Sequence, residues 1–277
     1  MKTHCLHHIY VFSLNCRQVK KYSITVLCLF LAIAYGHAVL AKSQAKPPRV
    51  IDLTHRLEDN IATYFVDPNQ HLKNTILTTV EKNGFATGII SFPEHFGTHI
   101  DAPCHIVDKG ATIDQLDPAK LVLPAVVIDV CQESAGNPDY HLNKAKIVKW
   151  ERQGKIPEGS AVLLYSGWSK VYKEPRQYRN ADKNGTMHFP GFSADAVRFL
   201  TEERKVAALG TDTLSIDPGC SKDFGAHHAG LTRGIFFMEN LDNLHKMPAR
   251  GATLFCGALP IKGGSGSPAR ILALVKQ

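Results

Sequence analysis

The segment from residue 95 to residue 105 constrains this chain more than any other part of it. It reads His-Phe-Gly-Thr-His-Ile-Asp-Ala-Pro-Cys-His, and His95, His99, Asp101 and His105 all occupy odd positions. In an extended chain the side chains alternate between two faces, so this spacing predicts that all four polar groups point to one side. Pro103 disfavours a helix through the segment. The pattern therefore favours an extended stretch that presents one polar face.

Imidazole and carboxylate groups that converge on one point are the ligands that a borderline divalent cation prefers. A further imidazole nearby, left free of the cation, could move protons. The alternative interpretation is a polar loop whose histidines make ordinary hydrogen bonds. Three histidines and one aspartate in a two-residue rhythm favour the metal site over that alternative.

His227, His228 and Glu239 form a second, weaker candidate group. If His227 opens a helix and Glu239 ends the strand that follows, both side chains return to the same edge of a cleft. Taken alone, the spacing is better explained by a histidine that caps a helix and a glutamate on the surface.

Strand and helix patterns alternate along the rest of the chain. Ser193 in an N-cap position followed by helical spacing predicts a helix over 193–204. We expect the other helices at 143–153 and 227–232, a hairpin over 74–92, and strands at 49–54, 121–130, 161–165, 206–209, 235–238, 253–260 and 269–275. This order predicts an α/β fold: one compact domain with a mixed β-sheet flanked by helices, in which the early hairpin contributes antiparallel pairing.

The composition is that of an ordinary globular protein, with 277 residues, 44% hydrophobic and a formal net charge of +7. The excess positive charge lies in the first 50 residues, which contain no Asp or Glu. No basic stripe with interleaved aromatic residues occurs, so the sequence does not favour a nucleic-acid partner.

The N-terminal segment resembles a secretory signal. Arg17, Lys20 and Lys21 precede an apolar run over 24–35, and small residues follow up to Ala38 and Ala41. We expect residues 1–41 to be a signal peptide, cleaved after Ala41 or Ala38, or an uncleaved signal anchor. Residues 42–277 would form the mature domain, located outside the cell or in the secretory-pathway lumen. A membrane partner is expected only if the signal stays uncleaved.

Cysteines outside the presumed signal are widely spaced and form no zinc-binding CxxC pair: Cys104, Cys131, Cys220 and Cys256. The sequence favours buried or partly buried thiols, and a disulfide among these residues is the open alternative. A nucleophilic pair of Cys104 and His105 is disfavoured because adjacent side chains of an extended chain point apart.

Three other groups of residues each have two interpretations, and both stay open. The glycine-rich stretch over 262–268 lacks a phosphate-loop ending and predicts a turn, or a lining of the substrate mouth. An aromatic wall for a planar substrate and ordinary core packing are equal interpretations of Phe92, Trp168 and Phe189. Support of metal ligands and turn formation are equal interpretations of Asp212, Ser215 and Asp217.

The 95–105 segment resembles the H-x-G-T-H-x-D-x-P-x-H motif of the cyclase superfamily of metal-dependent hydrolases, which includes kynurenine formamidases and isatin hydrolases. Further similarity lies at 51–55, 166–169, 188–191, 210–217 and 239–241. The resemblance implies the family's swivelling α/β fold and a homo-oligomer, a dimer or larger. It also implies one or two divalent ions, Zn or Mn.

Residue by residue, the resemblance implies that His95, His99 and Asp101 bind metal, and that His227 and Glu239 help to hold a second ion. His105 matches the family's general base and acid. The implied reaction is hydrolysis of a C–N amide bond in a small molecule. An arylformamidase of tryptophan catabolism in the kynurenine pathway, which converts N-formylkynurenine to kynurenine and formate, is the first hypothesis. Opening of an isatin-like cyclic amide is the second, and a secreted metal-containing binding protein without turnover is the third.

Overall fold

The computed structural model describes residues 46–65 and 71–276. The predicted signal or anchor over 1–41 and the domain boundary at residue 42 lie outside the described residues. Across the described part, no helix combines the length and apolar character needed to cross a membrane.

Eight strands form the main sheet, in the order β1-β12-β11-β5-β7-β9-β10-β4. Their bounds are β1 Arg49–Asp52, β4 His99–Asp101, β5 Val122–Asp129, β7 Ala161–Tyr165, β9 Ala208–Thr211, β10 Phe236–Glu239, β11 Ala252–Ala258 and β12 Gly266–Val275. Strands β5, β7, β9 and β10 run parallel, whereas the pairs formed by β1, β4, β11 and β12 are antiparallel. The expected mixed sheet is therefore confirmed.

The sheet closes into a barrel because β4 pairs with β12 as well as with β10. The first residues of β12, Gly266–Pro268, pair with β4, and its last residues pair with β1. The turn predicted over 262–268 is thus wrong for its last three residues, which already belong to the strand.

Side chains from the two faces of each strand fill two separate cores. In β7, Ala161, Leu163 and Tyr165 point into the barrel, whereas Val162 and Leu164 pack outside it. This is the continuous apolar pattern of a strand buried on both faces.

The described residues contain six helices, and three of them, Lys144–Trp150, Ala194–Glu202 and Gly225–Leu231, pack against the core outside the barrel. The bounds of all six are α1 Val80–Asn83, α2 Cys131–Gly136, α3 Lys144–Trp150, α4 Pro175–Arg179, α5 Ala194–Glu202 and α6 Gly225–Leu231. The N-cap of α5 is Ser193, as expected, but its hydroxyl donates to the Leu142 carbonyl at 2.9 Å and accepts no hydrogen bond from the first N–H groups of the helix. A single 3₁₀ turn extends α3 to Gln153 before Gly154.

The hairpin predicted over 74–92 exists as β2 Lys73–Thr78 and β3 Thr87–Ser91, with α1 between them. It forms a two-stranded sheet of its own, so its expected contribution to the main sheet is wrong. The antiparallel pairing comes instead from β4 and the C-terminal strands. A third small sheet joins β6 His141–Leu142 to β8 Gly191–Phe192.

Candidate metal centre and active site

The segment over 95–105 is extended only at β4, His99–Asp101. Gly97 turns the chain before β4 with a φ of +63°, a left-handed conformation that glycine adopts without strain. A 3₁₀ turn over Pro103–His105 follows β4. The prediction of a fully extended segment is therefore wrong. The chain folds back at both ends, and the rings of His95 and His105 come within 4.1 Å of each other between centroids.

The five predicted metal ligands nevertheless lie together, and the sheet explains why. Strand β10 pairs with β4 so that Glu239 lies opposite His99. His227 lies in the first turn of α6, which packs against β10. Glu239 ends β10 as expected, whereas α6 begins at Gly225, two residues before the predicted start at His227. Both side chains return to the cleft that contains Asp101.

Asp101 lies at the centre of the group. Its Oδ1 is 2.6 Å from Nδ1 of His95 and 3.2 Å from Nε2 of His99. Its Oδ2 is 3.6 Å from Nε2 of His227. Glu239 lies 3.4 Å from the same nitrogen of His99 and 3.4 Å from that of His227. Two overlapping sets result, His95 with His99 and Asp101, and Asp101 with His227 and Glu239.

The donor atoms fit a cation because two of them are buried without a hydrogen-bond partner. These two atoms are Nε2 of His99 and Oδ2 of Asp101. Oδ1 of Asp101 lies 3.2 Å from Nε2 of His99 without forming a hydrogen bond to it. A buried polar atom left unpaired costs about 1–3 kcal/mol. Imidazole nitrogens and carboxylate oxygens are ligands for Zn²⁺ and Mn²⁺, so the residues present fit one or two such ions.

Hydrogen bonds on the far side of two imidazoles fix their orientation. Nδ1 of His99 donates to the Gly97 carbonyl at 2.8 Å, and Nδ1 of His227 donates to Asp217 at 2.6 Å. In the neutral imidazoles, the form that binds a cation, this leaves both Nε2 atoms as acceptors that face the cluster. Asn240 supports the first contact, because its side-chain amide also donates to Gly97 O at 3.0 Å.

Three acidic or hydroxyl residues had been considered as partners of the ligands, and only Asp217 contacts one. Asp212 instead accepts hydrogen bonds from the backbone and hydroxyl of Ser166 at the end of β7. The Ser215 hydroxyl accepts from the backbone N–H of Asp217. These two residues shape turns. Asn240 received no role from the sequence, although it lies in the 239–241 stretch that resembles the family.

The electrostatic environment separates His105 from the ligand histidines. Burial alone would lower the pKa of His99 and His227, but neighbouring Asp101 and Glu239 raise the pKa of each to about 10. Burial lowers the pKa of His105 to about 4, against an opposing effect of Asp101. His105 is therefore neutral near pH 7, as a proton acceptor must be.

A cavity of about 410 Å³ opens over the cluster. His95, His99, His105, His227 and Glu239 line its polar end. Its aromatic walls are Tyr64, Phe65 and Phe224. Phe224 has a left-handed φ of +50°, an uncommon conformation for an aromatic residue, and its ring lies 5.9 Å from that of His227.

The aromatic wall expected from Phe92, Trp168 and Phe189 is wrong, since none of them lines this cavity. Phe189 is fully buried in a cluster with Tyr178, and Trp168 donates its indole N–H to the Tyr178 carbonyl. Core packing is the correct interpretation of those two. Phe224 could have been found from its place just before the histidine pair of α6.

The cysteines do not have the features of a catalytic nucleophile. Cys104, Cys131, Cys220 and Cys256 are all free thiols within the described residues. The thiol of Cys104 points to the Gly264 carbonyl at 3.5 Å, and its pKa is raised by burial and by Glu94. A raised pKa disfavours the thiolate, so Cys104 is a poor nucleophile.

The chain is similar in sequence to one protein family and to two kinds of characterised enzyme. The profile of the family described as "Putative cyclase" matches residues 51–218. Isatin hydrolase of Roseibium aggregatum is 34% identical over 253 residues, which cover 85% of this chain and 95% of that protein. Kynurenine formamidase of Bacillus cereus is 28% identical over 227 residues, covering 79% of this chain and 94% of the relative.

Solved structures agree with these relatives. Isatin hydrolase A from Labrenzia aggregata, bound to benzyl benzoate, has a TM-score of 0.77 at 33% identity and covers 89% of this chain and 100% of that one. A structure described as a potential metal-dependent hydrolase with cyclase activity has a TM-score of 0.65 at 25% identity, over 83% of this chain and 98% of the other.

Proposed function

The chain belongs to the cyclase family of hydrolases, and from that membership we propose that it is a metal-dependent amidohydrolase that opens a planar cyclic amide of the isatin type. The observation that carries the proposal is the placement of the His, Asp and Glu cluster at the polar end of a cavity with aromatic walls. A planar ring can pack against these aromatic side chains while its amide meets the cluster. The order of the two substrate hypotheses is thus the reverse of the sequence-based one, in line with the higher identity to isatin hydrolase.

His95, His99 and Asp101 would hold one cation, and Asp101, His227 and Glu239 would hold a second where two are bound. A bound divalent cation supplies Lewis acidity, which polarises an amide carbonyl and lowers the pKa of water from 15.7 to about 7. Asp101 belongs to both sets, so its two carboxylate oxygens are the link between them.

His105 carries the proton transfers. Its neutral imidazole takes one proton from the attacking water as the new C–O bond forms at the amide carbon. The C–N bond then breaks, and the same imidazole returns that proton to the departing ring nitrogen. Asp101 stabilises the transient imidazolium, since its charge favours the protonated form of His105. General acid–base catalysis of this kind contributes roughly 10²–10⁴-fold.

Formamidase activity is the second candidate, favoured by the kynurenine formamidase relatives. An N-formyl arylamine also presents an amide beside an aromatic ring, so the same residues would perform the same proton transfers. The expected secretory location weighs against it, because tryptophan breakdown is commonly cytosolic. Secretion itself remains part of the proposal, and N-terminal sequencing of the mature protein tests the cleavage site.

The test compares hydrolysis of isatin and N-formylkynurenine by residues 42–277, with and without a chelator. We expect kcat/KM for isatin to be at least about tenfold higher, and chelator to abolish both. His105→Asn is expected to lower kcat by about 10²–10⁴-fold while metal content is unchanged. His228→Asn is the matched control, because His228 is exposed on the same helix as His227.

Three outcomes contradict the proposal in different ways. A preference for N-formylkynurenine selects the second candidate. Full activity of the His105 variant overturns the role of that residue. Metal bound without hydrolysis of either amide favours the binding-protein hypothesis.

A further inference from the structure

His95 meets the cluster differently from the other two histidine ligands. Its Nδ1, rather than Nε2, lies against Asp101, at 2.6 Å. Its Nε2 points away from the cluster to the Ser265 hydroxyl at 3.0 Å. Ser265 belongs to the glycine-rich segment over 262–268, to which the proposed mechanism gives no role.

Glu94 completes a chain of hydrogen bonds behind His95. The Ser265 hydroxyl donates to Oε2 of Glu94 at 2.5 Å, and the Ser265 backbone N–H donates to the same oxygen at 3.2 Å. A carboxylate only accepts hydrogen bonds. The single proton of the Ser265 hydroxyl is therefore committed to Glu94, and its oxygen is left to accept from Nε2 of His95.

This direction of donation determines which nitrogen of His95 can bind a cation. If Nε2 carries the proton, Nδ1 carries the lone pair. That lone pair then faces Asp101 Oδ1, a second acceptor, with no proton between them. Two acceptors 2.6 Å apart repel each other unless a positive charge lies beside both. The chain of contacts thus prepares His95 and Asp101 to share one cation.

The two glycines beside Ser265 make this approach possible. A Cβ added to Gly266 would lie 2.6 Å from Cε1 of His95, and one added to Gly264 would lie 3.1 Å from Oε1 of Glu94. Gly266 also pairs with Asp101 across β12 and β4. The absence of side chains at Gly264 and Gly266 therefore lets the backbone on both sides of Ser265 approach Glu94 and His95 closely.

We propose that Glu94 and Ser265 are positioning residues that hold the proton of His95 on Nε2, so that Nδ1 is the atom offered to the cation. The inference rests on the proposed function only in requiring a cation at His95. It concerns neither the substrate nor the proton transfers of His105. The competing explanation is that the contact merely fastens the start of β12 to the loop before β4.

The test measures binding of Co²⁺ to the metal-free protein by titration, together with the visible absorption spectrum of the bound ion. Glu94→Gln keeps the size of the side chain but allows it to donate as well as accept, so the direction of donation is no longer fixed. Ser265→Ala removes the relay, and Ser265→Thr restores a hydroxyl. The matched controls are Glu81→Gln on the exposed turn of the hairpin and Ser134→Ala, whose buried hydroxyl has no partner.

We expect Glu94→Gln and Ser265→Ala to weaken Co²⁺ binding by about 10–100-fold, the usual effect of losing a partner of a ligand histidine. Their cobalt spectra should change, because the histidine donor atom is altered or lost. Ser265→Thr should recover wild-type affinity, and both controls should match wild type. A two-bond ¹H–¹⁵N spectrum of the zinc-bound protein should show the His95 proton on Nε2 in wild type.

Unchanged Co²⁺ affinity and spectrum in both variants would overturn the inference, as would a His95 proton on Nδ1 in the zinc-bound wild type. Variants that lose stability but bind cobalt normally would support the fastening explanation instead. The ¹H–¹⁵N measurement needs no variant, so it decides the matter even if the variants fail to fold. Failure to hydrolyse isatin would contradict the proposed function and leave these binding results unaffected.

Discussion

His55, just after β1, is a buried histidine outside the catalytic cluster, and we predict that it makes the domain sensitive to acid. Its ring stacks on Tyr172 with centroids 3.5 Å apart and an interplanar angle of 4°. Its backbone N–H donates to the Thr98 hydroxyl, which lies between Gly97 and His99. Burial lowers the pKa of His55 to about 4, opposed by Asp242 and assisted by Lys173.

The sign of the effect follows from the two states of the chain. In the unfolded chain His55 takes up a proton near its ordinary pKa of 6.5, whereas the folded protein resists protonation until about pH 4. Its contribution to stability is therefore complete above pH 6.5 and is lost as the pH falls toward 4. The full difference corresponds to about 3 kcal/mol, and the part lost between pH 7 and pH 5 to about 2 kcal/mol.

The assay is urea unfolding of the chelator-treated protein at pH 7 and pH 5, for wild type and His55→Phe. Phenylalanine keeps the stacked ring but does not titrate, so the variant should lose about 2 kcal/mol less than wild type between the two pH values. In thermal unfolding this difference corresponds to about 4–8 °C for a domain of this size. Equal losses in the two proteins would refute the reasoning, whatever the absolute stability of the variant.

Three further predictions address the cluster, the thiol and the hairpin. Saturating Zn²⁺ or Mn²⁺, at about 100 times its Kd, should stabilise wild type by about 2.7 kcal/mol in calorimetry, and Glu239→Gln should reduce that gain; an equal gain would remove Glu239 from the ligands. Cys104→Ser should retain wild-type kcat, and loss of turnover at unchanged metal content would revive thiol catalysis. A two-stranded hairpin is marginally stable alone, and Ile76 and Ile90, which the strand register puts on one face of it, are 71% and 60% exposed. We expect a second copy of the chain to cover this face in a two-fold dimer, so Ile90→Lys should give monomers in light scattering; a monomeric wild type would contradict this.

The sequence predicted the cluster better than it predicted the path of the chain. The alternation of His99 and Asp101 holds because β4 is a true strand, and Glu239 faces His99 because β10 pairs with β4. The position of His95 depends instead on the left-handed turn at Gly97, which a period of two residues cannot express. The predicted residues thus lie together, but partly for a geometric reason other than the predicted one.

Contacts between distant parts of the chain explain what sequence patterns could not supply. Glu94 and Ser265 are 171 residues apart, and only the pairing of β12 with β4 brings them together. Phe189 and Phe224 are both apolar in sequence, but one lies in the core and the other lines the cavity. Periodicity identifies buried faces, whereas membership of a cavity depends on how loops cross over the barrel.

The metal cluster lies where the barrel closes, and this position predicts a link between cation binding and closure. Strand β4 contributes His99 and Asp101, and it is held by β10 on one side and by the first three residues of β12 on the other. At the ends of this seam Ala102 N–H donates to Ser265 O, and Ala269 N–H donates to Thr98 O. A bound cation would join β4 to β10 and α6, so local opening of the seam would require its release.

Hydrogen exchange followed by mass spectrometry measures that link. At a cation concentration of about 100 times Kd, the amides of β4 and its seam should exchange about 100-fold more slowly than in the metal-free protein. The β2–β3 hairpin provides the internal control, because it can open without disturbing any ligand. Equal slowing in the hairpin would indicate a global effect of the ion. An unchanged seam with the cation bound would show that β4 opens without releasing it, and closure of the barrel would then be independent of the metal.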